Sequence, residues 1–437
     1  MSDAVVALGP DANGSCLIAE NGVIAHFGPK PEHFPADALD CSGAIIQPGA
    51  VNAHTHLYSG LVPLGMPPPS PPPENFVEIL ERVWWRLDRA LDASSLRAAA
   101  RFYVAEALLA GTTLLIDHHE SPELIEGSLE IIGDACEELG IRALVAYGAT
   151  ERNGGRDEAR RGLDECRRFI AANRRSLVMG AVGLHASFTV SDDTIREAGE
   201  ECRALGVPLH VHVAEDVADV VDARDRGYDG PLRRLEILGA LVADSIIAHG
   251  IHLNENEIPI IDRLSLWAVQ NPRSNRGNRV GYPSVLAGTS RVALGTDGYP
   301  SDMTVEAAAL REEAEHAGDR RDVVERRIEG GHELASQLFG LSLAPLRAGS
   351  AADAAVISDG RVRHLIVAGR TIVRDGRLLT ADIDRIHSDA AEQAARLWNR
   401  MNVEGRKQKA ERKSESRKQK AEMDFAGGNG QRRDGPG

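Results

Sequence analysis

The segment PGAVNAHTHL, Pro48 to Leu57, ends a short apolar run with two histidines. In a β-strand, residues two positions apart point to the same side, so His54 and His56 would present their imidazoles together. Such a pair is weak evidence by itself, and the chain contains a second pair in His210 and His212. The segment predicts a strand that carries two metal-binding side chains at its C-terminal end.

The same arrangement recurs along the chain: a short apolar run, a polar tip, and then a stretch with helical periodicity. Eight such runs are recognisable, and their tips lie at His54–His56, Asp117–His119, Tyr147–Thr150, His185, His212–Glu215, His249, Asn271–Asn275 and Asp297. Continuous apolar strands that alternate with helices are typical of a parallel sheet buried on both faces, and eight of them fit a closed (β/α)8 barrel. The sequence therefore predicts an α/β fold of the TIM-barrel type, with the polar tips gathered at one mouth.

Both ends of the chain predict additional β structure. Short apolar runs separated by turn residues occupy residues 1–48, and similar runs return in residues 345–385. We expect these segments to form one small composite β-sandwich, with the barrel at 49–344 and a C-terminal helix at 386–404. The tail at 405–437 contains ten Lys and Arg against five Asp and Glu and few apolar residues, which predicts a disordered basic segment.

Two shorter features bear on the barrel. Residues 94–109 give the clearest helical pattern, with Ser94 or Ser95 available as the N-cap. The proline-rich stretch Pro63–Pro73 cannot form a helix or an interior strand. It predicts either a stiff surface loop or a loop that covers the substrate, since loops that follow barrel strands often carry function.

Composition excludes several classes of protein. Hydrophobic residues make up 43% and charged residues 26% of the chain, as in ordinary globular enzymes, and no apolar stretch is long enough to span a membrane. The formal charge of −15 disfavours nucleic acid as a partner. The five cysteines are odd in number and form no C-x-x-C pair. This pattern predicts reduced thiols in the cytoplasm and a metal site without Cys ligands.

One set of side chains at the strand tips has the types that bind a Zn²⁺ or Fe²⁺ ion and leave room for a water. The set comprises His54, His56, His212 and Asp297. Glu215 follows His212 by three residues and supplies the second carboxylate that proton transfer requires. Lys30 is the only lysine before the basic tail, so the sequence excludes a two-metal site bridged by a carbamylated lysine.

Five motifs occur in a specific order: PGAVNAHTHL, HVHVAED, AHGIHL, NPRSN and LGTDG. Their order and spacing resemble the amidohydrolase superfamily in its mononuclear deaminase branch. Further segments, FVEILERVWWRLDRALD, DHHESP, GLHASFT and LGTDGYPSDM, resemble aminohydrolases of the SsnA type, which are similar to guanine, 8-oxoguanine and triazine aminohydrolases. The resemblance runs from about Ala44 to about Asp375.

The resemblance implies a role for each matching residue. The implied ligands of one metal ion are His54, His56, His212 and Asp297. Glu215 would be the proton shuttle. His249 would lie beside the activated water and polarise either this water or the attacked carbon.

Substrate contacts are predicted on the same rim. They are His185, His118, His119, Trp84, Asn271 and Ser274. The resemblance implies the first of these, together with the pocket-shaping stretch that contains the last two. One of the two adjacent histidines would reach the pocket while the other is buried and hydrogen-bonded. The tryptophan lies in an amphipathic segment, where packing in the core competes with stacking against a planar ligand.

Three residues depart from the family pattern. Gly250 stands where relatives often have Cys, and Arg273 and Arg276 add charge to the NPRSN region. These departures leave the predicted metal site intact, but they widen the range of substrates that the sequence allows.

Together these features predict a metal-dependent aminohydrolase that deaminates an aminopurine, a pterin or a triazine-like heterocycle. A metal-activated water would attack the ring carbon, Asp297 would take its proton, and Glu215 would protonate the ring nitrogen and then the departing amine. One alternative is hydrolysis of a ring amide, or of a triazine carbon–halogen or alkylamine bond, at the same site. Another is a non-catalytic barrel scaffold. The resemblance also implies a homodimer.

Overall fold

The computed structural model describes residues 5–402. The predicted basic tail lies outside the described residues. Four strands precede the barrel: β1 (Val6–Leu8), β2 (Ser15–Glu20), β3 (Val23–Pro29) and β4 (Ile45–Pro48). The first three form an antiparallel sheet in the order β1-β2-β3.

The barrel is built from parallel strands, as the sequence predicts. They are β5 (Ala50–Thr55), β6 (Thr112–His119), β7 (Arg142–Ala149), β8 (Val178–Gly180), β9 (Val182–Ala186), β10 (Leu209–Val213), β11 (Ile246–His249), β12 (Trp267–Gln270) and β13 (Val292–Leu294). Neighbours pair in the order β5-β6-β7-β9-β10-β11-β12-β13, and β8 pairs with β7 just before β9 does. Because β8 and β9 act as one interrupted strand, the barrel has eight strand positions.

Backbone and side-chain hydrogen bonds join the ends of the first and last barrel strands, β5 and β13, at the mouth of the barrel. The N–H groups of Thr296 and Asp297 both donate to the carbonyl of His54, at 2.9 and 3.0 Å. The side chain of Asn52 donates to Thr296 Oγ1 at 2.7 Å and accepts from its N–H at 3.1 Å. These contacts confirm the predicted barrel and place the tip of its last strand against the tip of its first.

Side chains of the barrel strands alternate between two buried environments. Leu114 and Ile116 of β6 belong to one apolar cluster with Leu144 of β7 and Trp267 of β12. Leu115, between the first two, belongs to a different cluster that contains the surrounding helices. Every residue of β6 and β7 is buried, which explains why these strands read as continuous apolar runs.

Helices separate most of the barrel strands and continue after the last one. They are α1 (Phe76–Ile79), α2 (Trp85–Ala90), α3 (Ala93–Leu109), α4 (Ser128–Leu139), α5 (Arg156–Ala172), α6 (Asp192–Leu205), α7 (Val217–Asp225), α8 (Pro231–Ile237), α9 (Ile258–Arg263), α10 (Pro272–Asn278), α11 (Met303–Ala317), α12 (Arg321–Phe339) and α13 (383–402). None of the helices in the described part of the chain combines the length and the apolar character that crossing a bilayer requires.

The start of α3 corrects one prediction. Asp92 is the N-cap, and its side chain accepts a hydrogen bond from the N–H of Ser95 at 2.8 Å. The Ser95 hydroxyl in turn accepts from the N–H of Asp92 at 3.0 Å. The prediction of Ser94 or Ser95 as the N-cap was wrong, because the carboxylate of Asp92 completes a reciprocal capping box with Ser95, three residues later.

The C-terminal strands return to the N-terminal ones. β14 (Ala354–Ser358), β15 (Arg361–Val367), β16 (Arg370–Arg374) and β17 (Arg377–Leu378) form an antiparallel sheet that β4 completes at the edge of β14. One apolar cluster joins this sheet to the β1-β2-β3 sheet and contains residues such as Leu17, Ile24, Ile46, Val356 and Ile366. The predicted β structure from both ends of the chain is confirmed. The residue boundaries proposed for the domains remain predictions.

A buried ion pair connects the barrel to the C-terminal sheet, and we expect its loss to be costly. Arg142 at the start of β7 donates from Nε to Asp353 Oδ2 at 2.6 Å and from Nη2 to Oδ1 at 3.2 Å. Asp353→Ala would leave a buried guanidinium without its partner and should destabilise the protein by about 3–5 kcal/mol. The midpoint of urea unfolding measures this effect. Glu325→Ala removes the partner of the exposed Arg311 and should leave the midpoint nearly unchanged. Equal shifts in the two variants would contradict the expectation.

Candidate active site

Imidazole rings gather at the C-terminal ends of the barrel strands. The buried histidines of this group are His54, His56, His118, His185, His210, His212 and His249. The ring of His54 lies near the centre of the group, with centroid distances of 5.0 Å to His56, 4.9 Å to His212 and 5.7 Å to His249. The structure thus brings together all the histidines that the sequence assigns to metal and catalysis.

Backbone carbonyls fix the orientation of two of these rings. His56 Nδ1 donates to the carbonyl of His118 at 2.5 Å, and His212 Nδ1 donates to the carbonyl of His185 at 2.6 Å. Because a carbonyl can only accept, both rings carry their proton on Nδ1 when neutral, and each Nε2 keeps its lone pair. The two Nε2 atoms lie 3.3 Å apart and point into the same space. This is the arrangement of metal-binding histidines, in which the second ring nitrogen is held by another group.

The ring of His54 is oriented by His210, the first histidine of the second H-x-H pair. Its Nδ1 lies 2.8 Å from Nε2 of His210, which is fully buried on β10. Its Nε2 is also buried, has no hydrogen-bond partner in the described structure, and lies 3.4 Å from Asp297 Oδ1. His210 therefore orients a predicted ligand from behind.

Asp297 brings a carboxylate to the same point. Its Oδ1 lies 2.8 Å from His56 Nε2, and its Oδ2 accepts a hydrogen bond from the hydroxyl of Ser274. The backbone at Asp297 is left-handed, with φ at 53°, a conformation that aspartate tolerates better than most residues. This turn and the backbone bond to His54 hold the carboxylate over the seam between the first and last strands.

His249 and Glu215 lie next to the residues described so far and contact each other. His249 Nδ1 lies 3.0 Å from Asn275 Oδ1 and 3.4 Å from Asn271 Nδ2. The shorter contact favours donation from Nδ1 to Asn275, which leaves Nε2 as a buried acceptor without a hydrogen bond. That Nε2 lies 3.5 Å from Glu215 Oε2, and Asn278 Nδ2 donates to Glu215 Oε1 at 3.2 Å. His249 also has a positive φ of 74°, which turns the chain at the end of β11.

Burial shifts the proton affinities of these groups in different directions. It lowers the pKa of His54 to about 3 and holds the pKa of His212 well below its ordinary value. Burial also opposes the charge of Asp297, but the adjacent imidazoles of His54 and His56 keep the pKa of this carboxyl well below its usual range. Burial raises the pKa of Glu215 to about 7. Burial opposes charge on His56 as well, but the Asp297 carboxylate raises the pKa of this imidazole to about 9. The site therefore combines neutral imidazoles at His54 and His212, an ionised aspartate that favours a positive charge beside it, and a glutamate that can hold a proton near neutrality.

These residues fit a divalent metal ion. Donor atoms of His54, His212, His249 and Asp297 all lie within 4.8 Å of one another, so His249 stands in this group where the sequence predicts His56. His56 Nε2 nevertheless lies 2.8 Å from Asp297 Oδ1 and 3.3 Å from His212 Nε2, beside the same group. Neutral imidazole and carboxylate are the ligands that Zn²⁺ and Fe²⁺ accept, and the buried Nε2 atoms of His54 and His249 otherwise lack partners. An ion bound to this cluster would satisfy buried lone pairs that no described protein group satisfies.

A pocket opens beside the cluster. Its wall includes His56, His212, Asp297 and Glu215 on the side of the cluster, and Phe76, Leu80, Trp84 and Phe188 on the apolar side. Leu80 to Trp84 form a single π-helical turn between α1 and α2, a feature often found at functional sites. The proline-rich loop leads directly into this covering segment.

The predicted substrate contacts occupy different positions around this pocket. His185 and Trp84 line it, and Trp84 packs so closely on Gly298 that any side chain there would collide with the indole ring. His119 instead contacts Ser121 Oγ through Nε2 at 2.7 Å, next to the ring of Tyr147. His118, Asn271 and Ser274 lie behind residues of the pocket wall, where they contact other polar groups.

Sequence reasoning missed several polar residues that border the site. Glu120 and Asn278 line the pocket, and His210 supports His54. The position of Glu120 directly after the histidines of the second tip could have drawn attention to it. His210 shares a strand face with His212, so the period of the strand also pointed to it.

A buried set of imidazoles and carboxylates at the mouth of a (β/α)8 barrel defines a metal-dependent hydrolase of the barrel type. The family model described as the amidohydrolase family matches residues 45–372, well over half of the chain. The chain belongs to the amidohydrolase family. The family named from the motifs is therefore confirmed, while the finer likeness to SsnA-type enzymes remains a prediction.

Relatives with similar sequences are deaminases of adenosine derivatives. The chain is 27% identical over 394 residues to a 5'-deoxyadenosine deaminase of Methanopyrus kandleri, which covers 81% of this chain and 86% of the relative. It is 29% identical over 403 residues to a 5-methylthioadenosine/S-adenosylhomocysteine deaminase of Halobacterium salinarum, with 83% and 89% covered. The match extends over nearly the full length of both relatives.

Solved structures share the fold at lower identity. An adenosine deaminase from Xanthomonas campestris with bound zinc superposes with a TM-score of 0.75 at 20% identity, covering 88% of this chain and 94% of the other. An atrazine chlorohydrolase from Arthrobacter aurescens complexed with zinc gives 0.72 at 20% identity, covering 87% and 95%. These similarities confirm the barrel fold.

The cluster predicts stoichiometric metal binding. We expect purified protein to contain about one divalent ion per chain, and His54→Ala to lower the metal affinity more than about 100-fold, because removal of even a supporting residue typically costs 10–100-fold. Metal content after dialysis, measured by elemental analysis, tests this. His316→Ala changes an exposed histidine on α11 and should keep the wild-type content. Retention of the full metal content by His54→Ala would contradict the assignment.

Proposed function

We propose that this protein is a metal-dependent aminohydrolase that replaces the amino group of a nitrogen heterocycle with oxygen and releases ammonia. One observation carries the proposal. Buried Nε2 atoms of His54 and His249 lack partners, and the carboxylates of Asp297 and Glu215 lie beside them with opposite pKa shifts. Pairs of titratable groups whose surroundings drive their pKa values apart are typical of acid and base partners in catalysis.

Four residues would hold the ion: His54, His56, His212 and Asp297. When bound, a divalent cation lowers the pKa of a coordinated water enough to make a nucleophile near neutral pH. The chain's own contribution is orientation. Carbonyls of His118 and His185 hold two of the rings, and His210 holds the third.

Asp297 and Glu215 would divide the proton transfers. Asp297 is ionised and can accept a proton from the attacking water. Glu215, with a pKa of about 7, can donate a proton to the ring nitrogen next to the attacked carbon. It can then take the second proton of the attacking water and pass it to the departing amine, and the proton held by Asp297 restores Glu215. The water oxygen forms the new bond to carbon, the carbon–nitrogen bond breaks, and the amine leaves as ammonia. His249, fixed by Asn275, would polarise the nucleophile or the attacked carbon.

The substrate class follows from the pocket and the relatives. The apolar wall of Phe76, Leu80 and Trp84 suits a flat ring, and the relatives in sequence are named as deaminases of adenosine derivatives. This supports removal of a ring amine over the alternatives of ring-amide or triazine carbon–halogen hydrolysis. The non-catalytic alternative is disfavoured because no residue of the metal and proton-transfer sets is replaced.

The finer assignments belong to the same proposal. Zinc is proposed over iron because two similar solved structures contain zinc and the ligand types suit it. A homodimer and a cytoplasmic location are proposed on the resemblance and on the composition of the sequence.

Ammonia release from a panel of aminopurines, aminopterins and aminotriazines tests the reaction type, since ring opening alone liberates no ammonia. For a substrate that is turned over, we expect Glu215→Gln to lower kcat by about 10²–10⁴-fold, the usual contribution of a general acid–base group. Metal content should stay at the wild-type level, because Glu215 is outside the ligand set.

The matched control is Glu255→Gln, which alters an exposed glutamate beyond β11 and should keep the wild-type kcat. Near-wild-type turnover by Glu215→Gln would show that the proton-transfer role is wrong. Full activity after removal of the metal would refute the proposed function itself.

A further inference from the structure

Glu120 lines the pocket, and the mechanism above gives it no role. It follows His119 at the end of β6, and its side chain is 4% exposed. One of its carboxylate oxygens and ring nitrogens of His185 and His212 lie within 4.8 Å of one another. A buried carboxylate therefore faces the substrate space right beside the proposed reaction centre.

The Glu120 carboxylate lacks donors in the described structure. Its Oε1 is buried without a hydrogen-bond partner, although His118 Nδ1 lies 3.0 Å away. Nε2 of that ring donates to the carbonyl of Leu184 at 3.0 Å, so Nδ1 of the neutral ring has no proton to donate. Its Oε2 lies 3.9 Å from His185 Nε2 and 4.0 Å from Arg152 Nη2, beyond hydrogen-bond length. A buried acceptor without donors is costly, so a group from outside the protein is expected to satisfy it.

The guanidinium of Arg152, which lies near Glu120, is bonded to another residue. Arg152 Nη2 donates to Asp88 Oδ2 at 2.8 Å, and its guanidinium lies 4.8 Å above the centre of the Trp85 ring. Both contacts hold the guanidinium away from Glu120. At 4.0 Å, its charge still favours the ionised carboxylate, so Glu120 stays an acceptor.

His185 presents a second acceptor. The Thr189 hydroxyl donates to the carbonyl of Ala186 at 3.0 Å, so Thr189 Oγ1 accepts from His185 Nδ1 at 2.9 Å. This contact places the ring proton on Nδ1 and leaves the lone pair on Nε2. Glu120 and His185 thus present two acceptors to the same part of the pocket.

A glycine keeps the space for this arrangement. A Cβ atom added to Gly148, at the end of β7, would lie 3.0 Å from Glu120 Oε1 and still closer to the His118 ring. The absence of a side chain at this tip allows the carboxylate to pack beside the pocket without closing it.

We propose that Glu120, together with His185, forms a subsite for an N–H donor group of the substrate. The protein would select heterocycles that carry a second amino group or a ring N–H besides the amine that is hydrolysed. A ring carbonyl at this position would face two acceptors and be rejected. Because the subsite adjoins His212, it faces the ring and not a distant substituent. This inference rests on the proposed function, whose site it shares.

Binding of matched ligand pairs tests the subsite. Diaminopurine differs from adenine by one amino group, and melamine differs from monoamino-triazine by two. Dissociation constants are measured by calorimetry in a metal-loaded Glu215→Gln background, where turnover is suppressed. We expect the amino-rich member of at least one pair to bind about 10- to 100-fold more tightly, and Glu120→Gln to abolish that preference, as for loss of a charge-assisted hydrogen bond.

Glu123→Gln, an exposed glutamate three residues further on, is the matched control and should keep the preference. Absence of any preference in both pairs overturns the subsite, as does a preference that survives Glu120→Gln. Equal weakening of both members of a pair also overturns it, because that result indicates a merely structural role for Glu120. Ammonia release by the wild-type protein is scored separately, so failure of the subsite is distinguishable from failure of the proposed function.

A second variant keeps the test decisive if Glu120→Gln fails to fold. Asp88→Asn weakens the hold on Arg152, whose guanidinium can then turn to Glu120 and compete with the ligand. We expect Asp88→Asn to reduce the preference for the amino-rich ligand at least about 5-fold while the metal content is kept. An unchanged preference in a folded Asp88→Asn protein counts against the subsite.

Discussion

The buried carboxylate of Asp297, in contact with the imidazole nitrogens of His56 and His54, is the interaction on which the site depends. A buried carboxylate needs positive charge beside it. Against the effect of burial, Asp297 raises the pKa of His56 to about 9, so this carboxylate favours a positive charge, while burial keeps His54 and His212 neutral. A cation is therefore the natural complement of the cluster. The same carboxylate fixes the rest of the layout, since Ser274 and the backbone of His54 are both bonded to Asp297.

Much of this arrangement could be predicted because parallel strands place their tips at one mouth. The H-x-H pair at His54, the histidine at 212 and the aspartate at 297 each follow an apolar run, and the barrel alone brings such tips together. Orientation was harder to predict. The roles of His210 and of the carbonyls of His118 and His185 depend on ring rotations and strand register, which no local pattern encodes.

The boundaries of the pocket were also hidden from the sequence. The sequence allowed two roles for Trp84, packing in the core and stacking against a ligand. In the structure one part of its ring packs on Gly298 while the side chain also lines the pocket. Glu120 could not be recognised as a pocket residue because its importance comes from what surrounds it. Arg152 is held by Asp88 and His185 by Thr189, and those partners lie far apart along the chain.

The contact between the first and last barrel strands has a consequence for the synthesis of the chain on the ribosome. Thr55 and Asp297 meet across 242 positions of sequence, so the final ligand emerges from the ribosome long after the first. A nascent chain would contain the three imidazoles without the carboxylate until the segment that follows β13 has been synthesised. The complete set of four proposed ligands therefore exists only after the chain has been synthesised past Asp297.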